Sequence, residues 1–595
     1  MQSSPRSDAD RLRGHQSVPS ALRELYVQLS PSRRRTFVPL LGLMLVGAMA
    51  ELFTIGALLP FLSALASPQG SPLVTAMNPV LEMFGARSRI EELYVLTGLF
   101  GAAALLSSLL RLALLWAYQQ FVYGVAYELG VKIYDDTLTQ PYIYHTRRNT
   151  SEIIASLTKI EMITVQVLMP LMTAAVAAVI SVFIVVGLVI MDPVAALVAG
   201  GGFVAIYVVT SFLTRGQLKA SALIVSAAQG RRVRAMQEGL GGIRDVLIDR
   251  SQPVFVAEYE RSEAQFRDAR ARIALFANAP RFVVEGAAMV LIALVAVVVV
   301  NRPGGLAAAV PVLGALALGG QKLLPLVQQV YQGWATALGS RQNLLDVLDL
   351  LHRTASRDQT APEVAPLPFR TAIRLEKVGY AYEAGRGAAL TNMNLDIPRG
   401  ARIGIAGKTG SGKSTLMDLI LGLLEPTEGR ILIDGVPLTD ANRAAWQRNI
   451  AHVPQAIFLS DASVSENIAF GVPRDQIDTD RVRRAAEQAE LSEVIAALPH
   501  GYQTRVGERG IQLSGGQRQR IGIARALYKQ ARVLIFDEAT SALDTETERS
   551  VMAAIDRLDR DLTILIIAHR LSTLEGCDQV VRLGDATITS MAQHA

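Results

Sequence analysis

Arg402-Ile403-Gly404-Ile405-Ala406, followed without a break by Gly407-Lys408-Thr409-Gly410-Ser411-Gly412-Lys413-Ser414, is the stretch on which the reading of this chain turns. The first five residues have the pattern of a buried strand. The next eight fit G-x-x-x-x-G-K-[ST]. Glycines in such a loop let successive backbone N–H groups point at phosphate oxygens, and the helix that follows presents its positive N-terminus to them. Lys413 brings charge to the outer phosphates, and Ser414 offers a hydroxyl to a magnesium ion. Gly407, Lys408, Thr409, Gly410, Ser411, Gly412, Lys413, Ser414 and Thr415 are therefore the candidate phosphate-binding residues.

Val533-Leu534-Ile535-Phe536-Asp537 reads as a second buried strand, ending in a carboxylate. Asp537 is placed to hold Mg²⁺ through water, and the adjacent Glu538 to polarise an attacking water, so that two carboxylates divide the metal and base roles. Leu513-Ser514-Gly515-Gly516-Gln517 stands shortly before that strand. Ser514, Gly515 and Gly516 offer donors at a helix start, suited to a terminal phosphate.

With that segment the chain resembles the ATP-binding cassette family, whose signature is LSGGQ. Further residues match the family pattern in order and spacing. Gln455 in His452-Val453-Pro454-Gln455 resembles the Q-loop, which implies a place beside both metal and water. Ser541-Ala542-Leu543-Asp544 resembles the D-loop. His569, after the strand Ile564–Ile567, resembles the switch histidine, and Tyr382 the aromatic that stacks on adenine. Thr504-Arg505-Val506-Gly507-Glu508-Arg509-Gly510 resembles the TxVGExG segment of exporters. The resemblance implies ATP and Mg²⁺ as cofactors, catalysis by Glu538, Gln455 and His569, and nucleotide contacts from Tyr382, Ser514 to Gln517 and Asp544. It also implies that two cassettes sandwich two ATP molecules head to tail. One chain carries one cassette and shows no internal repeat, so a homodimer is expected, a heterodimer being the alternative.

Working outward toward the N-terminus, the composition changes. The whole chain of 595 residues is 50 % hydrophobic and only 19 % charged, and its mean hydropathy is +0.30. An average globular protein has ~25 % charged residues. Disorder is excluded and a wholly soluble protein disfavoured. Residues 162–191, 193–214 and 286–301 contain no Asp, Glu, Lys or Arg. Residues 36–66, 93–123 and 306–330 contain one such interior charge each: Glu51, Arg111 and Lys322. These lengths suit helices crossing ~30 Å of hydrocarbon, and they give six expected spans before residue 340. Residues 1–35 hold seven Lys/Arg against three acidic residues. The positive-inside rule then places this segment, 124–161 and 214–281 in the cytoplasm.

The expected organisation is a cytoplasmic segment 1–35, a six-span domain 36–340, a linker 341–370 and a cassette 371–595. Pro362, Pro366 and Pro368 mark the linker. The two long cytoplasmic segments read as helical extensions of the spans, with short helices expected around Tyr142–Ser151 and Gly239–Arg250. The fold class is thus an α-helical transmembrane domain fused to an α/β phosphate-loop domain. Membrane domain before cassette, six spans and long extensions resemble the type IV exporter group. That resemblance implies an ATPase coupled to export, in a bacterial inner membrane with both termini cytoplasmic. Soluble action on nucleic acid is excluded by the spans.

Cargo is less legible. Intramembrane charges are costly and mark substrate paths or internal pairs. Glu51, Arg111 and Lys322 are therefore the candidate substrate residues. Arg111 either meets an anionic head group or pairs with Glu51; Lys322 either does the same or snorkels to the cytoplasmic side. Pro72–Phe84 is expected as an amphipathic surface helix, and Glu51 together with such an outer segment is similar to flippases of polyprenyl-pyrophosphate-linked oligosaccharides. The expected substrate is lipid-linked or amphipathic and anionic. The alternatives are a drug, a lipid A-like molecule or a peptide, and an ATP-gated channel or regulator.

Overall fold

A computed structural model of the chain describes residues 16–66, 72–86, 88–146, 150–191, 193–287, 289–290, 305–354, 365–382, 387–507, 510–538, 546, 548–549, 553, 561–568, 574–584 and 586–593. The chain divides into two compact units, one of residues 1–140 with 144–359, the other of residues 141–143 with 360–595.

The first unit is helical. Its helices are α1 (Val18–Gln28), α2 (Pro31–Ala66), α3 (Arg89–Leu138), α4 (Thr150–Ile163), α5 (Met169–Met191), α6 (Pro193–Gly241), α7 (Gln252–Asn278), α8 (Gly305–Gly339) and α9 (Arg341–Thr354). A π turn, Thr164–Leu168, joins α4 to α5. Among the described residues three helices are long and apolar enough to cross a membrane: Pro31–Leu65, Arg89–Leu138 and Leu157–Ile190. The expected span 193–214 lies within α6 and 306–330 within α8. The expected span 286–301 lies mostly outside the described residues. With 50 residues, α3 is about 75 Å long at 1.5 Å per residue, more than twice the hydrocarbon thickness. Ser88 starts it with a capping box in which its side chain and that of Glu91 each serve the other's backbone. Short helices stand at Tyr142–Thr146 and Ile243–Ile248, within both expected segments.

Two features differ from the sequence reading. The block 341–370 expected as linker opens with α9, whose Leu344, Leu345, Val347, Leu348, Leu350 and Leu351 are buried in the core of this unit. Spacings of three and four residues give that helix one apolar stripe; the prolines that mark a linker come only after it. The outer segment forms two short helices, Pro72–Ala76 and Asn78–Met83, separated at Met77.

The second unit contains two sheets. β1 (Ala372–Tyr380), β2 (Leu390–Pro398), β4 (Glu428–Ile433) and β5 (Val436–Pro437) form an antiparallel sheet in the order β2-β1-β4-β5. β3 (Arg402–Gly407), β6 (Ile450–Val453), β7 (Val533–Asp537), β8 (Thr563–Ile567), β9 (Gln579–Gly584) and β10 (Thr587–Gln593) form the other, in the order β10-β9-β3-β8-β7-β6. Within it β6, β7, β8, β3 and β9 run parallel, and only the β9–β10 pair is antiparallel. Both faces of a parallel sheet are covered, so its strands are apolar throughout rather than alternating; β8 is buried at all five positions. One core lies against β1–β4 around Phe369 and the fully buried Trp446, whose indole N–H donates to the Ile420 carbonyl at 2.8 Å. A second gathers the helical part, including Leu459, Ile468, Leu491 and Ile523.

Candidate functional site: a phosphate cradle and a carboxylate edge

Register brings the functional residues together. Ile405 on β3 and Asp537 on β7 both pair with Ile567 on β8, and Val453 on β6 pairs with Phe536. Strands lie ~4.8 Å apart, so Asp537 stands about 10 Å from Ile405 across one strand. The loop after β3, the end of β7 and the turn after β6 thus share the carboxyl edge of the sheet, where ligands of open α/β sheets bind.

The loop after β3 leads into α10 (Lys413–Ile420). Gly412, at its N-cap, has φ +94°, and a Cβ there would lie 2.6 Å from Leu390 Cδ2 and 2.7 Å from the Ala389 carbonyl. A Cβ at Gly407 would lie 2.6 Å from both the Leu583 carbonyl and Ser411 Oγ. The cradle therefore tolerates no side chain at these two positions. Lys413 is only 7 % exposed. Its ammonium is folded over the loop, donating to the Gly407 carbonyl at 2.8 Å and the Lys408 carbonyl at 3.0 Å. Ser411 Oγ is buried with no hydrogen-bond partner among the described residues, and Ser414 is exposed beside it. A captive cation, an orphaned hydroxyl and a cradle without side chains fit a phosphate chain.

Glu538, directly after β7, sits at φ +49°, a left-handed conformation costly for a residue with a side chain. Its backbone N–H donates to the Ile567 carbonyl at 2.9 Å. This kink turns Glu538 off the strand line, where its carboxylate accepts from the Gln455 amide at 2.7 Å. Two residues 83 positions apart, both expected from sequence, are in direct contact.

Asp418 was not among the expected residues. It lies one helical turn after Ser414 on the same face of α10, and burial and the neighbouring Asp537 push its carboxyl up to about 6. The available signal was that i,i+4 spacing. The half-buried His452 is pushed down to about 4 by desolvation. It is neutral at physiological pH.

Tyr382 is partly exposed, packs edge-on against Tyr380 at 5.0 Å, and its hydroxyl lies 3.1 Å from that of Thr415. The structure thus ties the expected adenine-stacking ring to the first turn after the cradle. Ser514 caps α11 (Gly515–Tyr528): its hydroxyl accepts from the Gln517 N–H at 3.2 Å, and its own N–H donates to Gln517 Oε1 at 2.9 Å. Gln517 serves this box through Oε1 and its backbone N–H, and its amide N–H donors are not spent on it. They join the Ser514 hydroxyl proton and the N–H groups of Gly515 and Gly516, which helix geometry leaves without intrahelical partners. Asp544 and His569 lie outside the described residues.

In the helical unit, Glu51 is 3 % exposed. It accepts from Lys322 Nζ at 2.5 Å and Ser107 Oγ at 2.6 Å, while Arg111 Nη1 is 3.9 Å away. Lys322, read from sequence as snorkelling or substrate-facing, is committed to Glu51 because that carboxylate is the nearest relief for its charge. Arg111 remains 53 % exposed and lines a cavity of 410 Å³ with Ser108, Tyr118, Thr173 and Gln329 over an aliphatic wall. Ser107 is a further member of this network, hidden in sequence as one small polar residue in an apolar run.

The family profile described as "ABC transporter" matches residues 390–541, and that described as "ABC transporter transmembrane region" matches residues 53–302. The chain belongs to the ABC transporters. This transporter is 44 % identical over 238 residues to the ATP-dependent lipid A-core flippase of Cupriavidus metallidurans, covering 39 % of this chain and 40 % of the relative. It is 33 % identical over 380 residues to the protein of that description from Methylobacillus flagellatus, covering 64 % of each. The chain therefore matches less than two thirds of the length of these curated relatives. In fold, the transporter is similar to a bacterial Atm1-family ABC exporter with ATP bound, with TM-score 0.72, 23 % identity and coverage of 94 % of this chain and 95 % of the other. Like that structure, it joins a helical transmembrane domain to an α/β nucleotide-binding domain.

Proposed function

We propose that this chain is an ATP-driven exporter or flippase that moves an amphipathic, lipid-linked anion across a bilayer, working as a homodimer in a bacterial inner membrane with both termini cytoplasmic. The observation that carries the reading is the contact of Gln455 with Glu538 at the sheet edge that also bears the phosphate cradle.

The residues divide the work as follows. The Lys413 ammonium exchanges two backbone carbonyls for phosphate oxygens, and the loop N–H groups from Lys408 to Ser414 complete the cradle. Tyr382 bounds the base. Ser414, Asp537 and Gln455 would hold Mg²⁺, which supplies positive charge against the phosphates. Glu538 holds the attacking water and accepts its proton, and the Gln455 amide fixes the direction of that carboxylate. Ser514, Gly515 and Gly516 of a second copy donate to the terminal phosphate, so hydrolysis waits on dimer closure. Asp544 and His569 complete the site by the family pattern. On the membrane side, Arg111 binds the anionic head of the substrate, and Glu51 with Lys322 holds the helices that frame it. The names of the flippase relatives support a lipid of this kind.

The test is reconstitution into proteoliposomes with a fluorescent phosphorylated lipid. ATP-dependent transfer between leaflets, lost in Glu538→Gln, is expected. Hydrolysis without transfer of any phosphorylated lipid would favour a gated channel or regulator instead.

A further inference from the structure

At the other pole of the six-stranded sheet is a cavity of 490 Å³ that the nucleotide site does not use. Arg399 precedes β3, Arg532 immediately precedes β7, and Asp561 and Leu562 precede β8. These are the amino ends of parallel strands whose carboxyl ends carry the cradle and Asp537. With ~3.3 Å per residue, the six residues of β3 separate the two poles by about 20 Å.

Four guanidiniums line this cavity: Arg399, Arg481, Arg484 and Arg532, against the single carboxylate of Asp561. Arg399 is paired with Asp561 at 3.0 Å. The other three carry no carboxylate partner in the cavity. Arg532 donates to the Phe369 carbonyl at 3.3 Å. Arg481 lies 4.5 Å over the Tyr528 ring, and its Nε is buried without a hydrogen-bond partner. Arg484 has no partner among the described residues. Beneath them Leu534 and Leu562 form an apolar floor.

A concavity lined by one sign of charge focuses potential and concentrates counter-ions. Guanidinium forks match phosphate oxygens two at a time. The volume lies within the ~300–1,000 Å³ of small-molecule sites, and the cavity is half open to solvent. Three guanidiniums without a carboxylate partner among the described residues exceed what one phosphate monoester neutralises at ~1.5–2 negative charges. We propose that this cavity is a second ligand site, separate from the catalytic one, for a small molecule bearing a diphosphate or longer phosphate chain.

The experiment uses the full-length transporter carrying Lys413→Ala, which disables the catalytic cradle. Titration calorimetry with inorganic pyrophosphate is expected to show one site per chain. Adding Arg481→Ala and Arg484→Ala should weaken it at least tenfold, while the conservative Lys pair should recover part of the affinity. Because Arg484 is exposed and has no polar partner among the described residues, Arg484→Ala alone keeps the test open should the double change impair folding. ADP run in parallel distinguishes a nucleotide, which binds tighter than pyrophosphate over the apolar floor, from a free diphosphate, which binds equally or better. No pyrophosphate binding to the Lys413→Ala protein, binding unmoved by the arginine changes, or sulfate binding as tight as pyrophosphate would each overturn the proposal.

Discussion

Lys322→Ala and Arg111→Ala remove charges of the same sign near the same carboxylate, yet the structure predicts very different costs. Lys322 touches Glu51 at 2.5 Å, and Arg111 stands 3.9 Å away with its side chain 53 % exposed. Removing one partner of a buried pair costs about 3–5 kcal/mol, because the remaining charge is stranded. Ser107 stays on Glu51 and Arg111 gains influence, so the lower end, about 3 kcal/mol, is expected for Lys322→Ala. Arg111→Ala leaves Glu51 with both close partners, and an exposed ion pair contributes only about 0–1 kcal/mol. Thermal unfolding of the full chain in nanodiscs, followed by tryptophan fluorescence, reads the difference. A loss on the order of 5 °C is expected for Lys322→Ala, and little change for Arg111→Ala. Glu51→Gln in the Lys322→Ala background should restore most of the loss, since no charge is then stranded. An equal or larger loss from Arg111→Ala, or no rescue by Glu51→Gln, would refute the assignment of Glu51 to Lys322. Arg111→Ala should meanwhile lose lipid-stimulated ATPase while keeping its basal rate.

Glu538→Gln should keep nucleotide binding and lower ATP turnover at least a hundredfold, measured by phosphate release, since general-base contributions are ~10²–10⁴. Gly412→Ala should abolish binding of a fluorescent ATP analogue, because its Cβ would strike Leu390 and the Ala389 carbonyl at a left-handed φ that costs ~1–2 kcal/mol without a glycine. Asp418, with a carboxyl raised to about 6, is ionised more readily unfolded than folded. Its contribution is therefore fully favourable below pH ~4 and is lost as pH rises through 6. Asp418→Asn should raise the nucleotide-free melting temperature at pH 8 and leave it unchanged near pH 4. Ser514→Arg should block dimer closure yet leave ATP bound to single chains, as seen by light scattering alongside nucleotide binding.

What the sequence made legible was what is local. The cradle is eight consecutive residues with a strand before and a helix after, and every side of its geometry is implied by that order. The carboxylates after β7 are legible because a strand end is a fixed place in a parallel sheet. Long-range partners are a different matter. Glu51 and Lys322 are 271 positions apart, and no periodicity on either helix reveals which of two cations the carboxylate selects. Asp418 reads as an ordinary acidic residue until folding sets it beside Asp537. Helix α9 was concealed by its neighbours, because the three prolines that follow suggested a linker reaching back farther than it does. Capping also went unread: Gln517 belongs to the signature motif, and its amide oxygen also closes the start of its own helix.

A rod about 75 Å long, such as α3, is also a lever. A pivot of only ~5° about one end carries the other end sideways by roughly 6 Å, more than a full helical turn, while its hydrogen bonds stay as they were. Angstrom-scale gains at one tip therefore need no bending in between. Its neighbour is built differently, with a π turn at Thr164–Leu168 at which angular mismatch between two stiff arms can be absorbed within five residues.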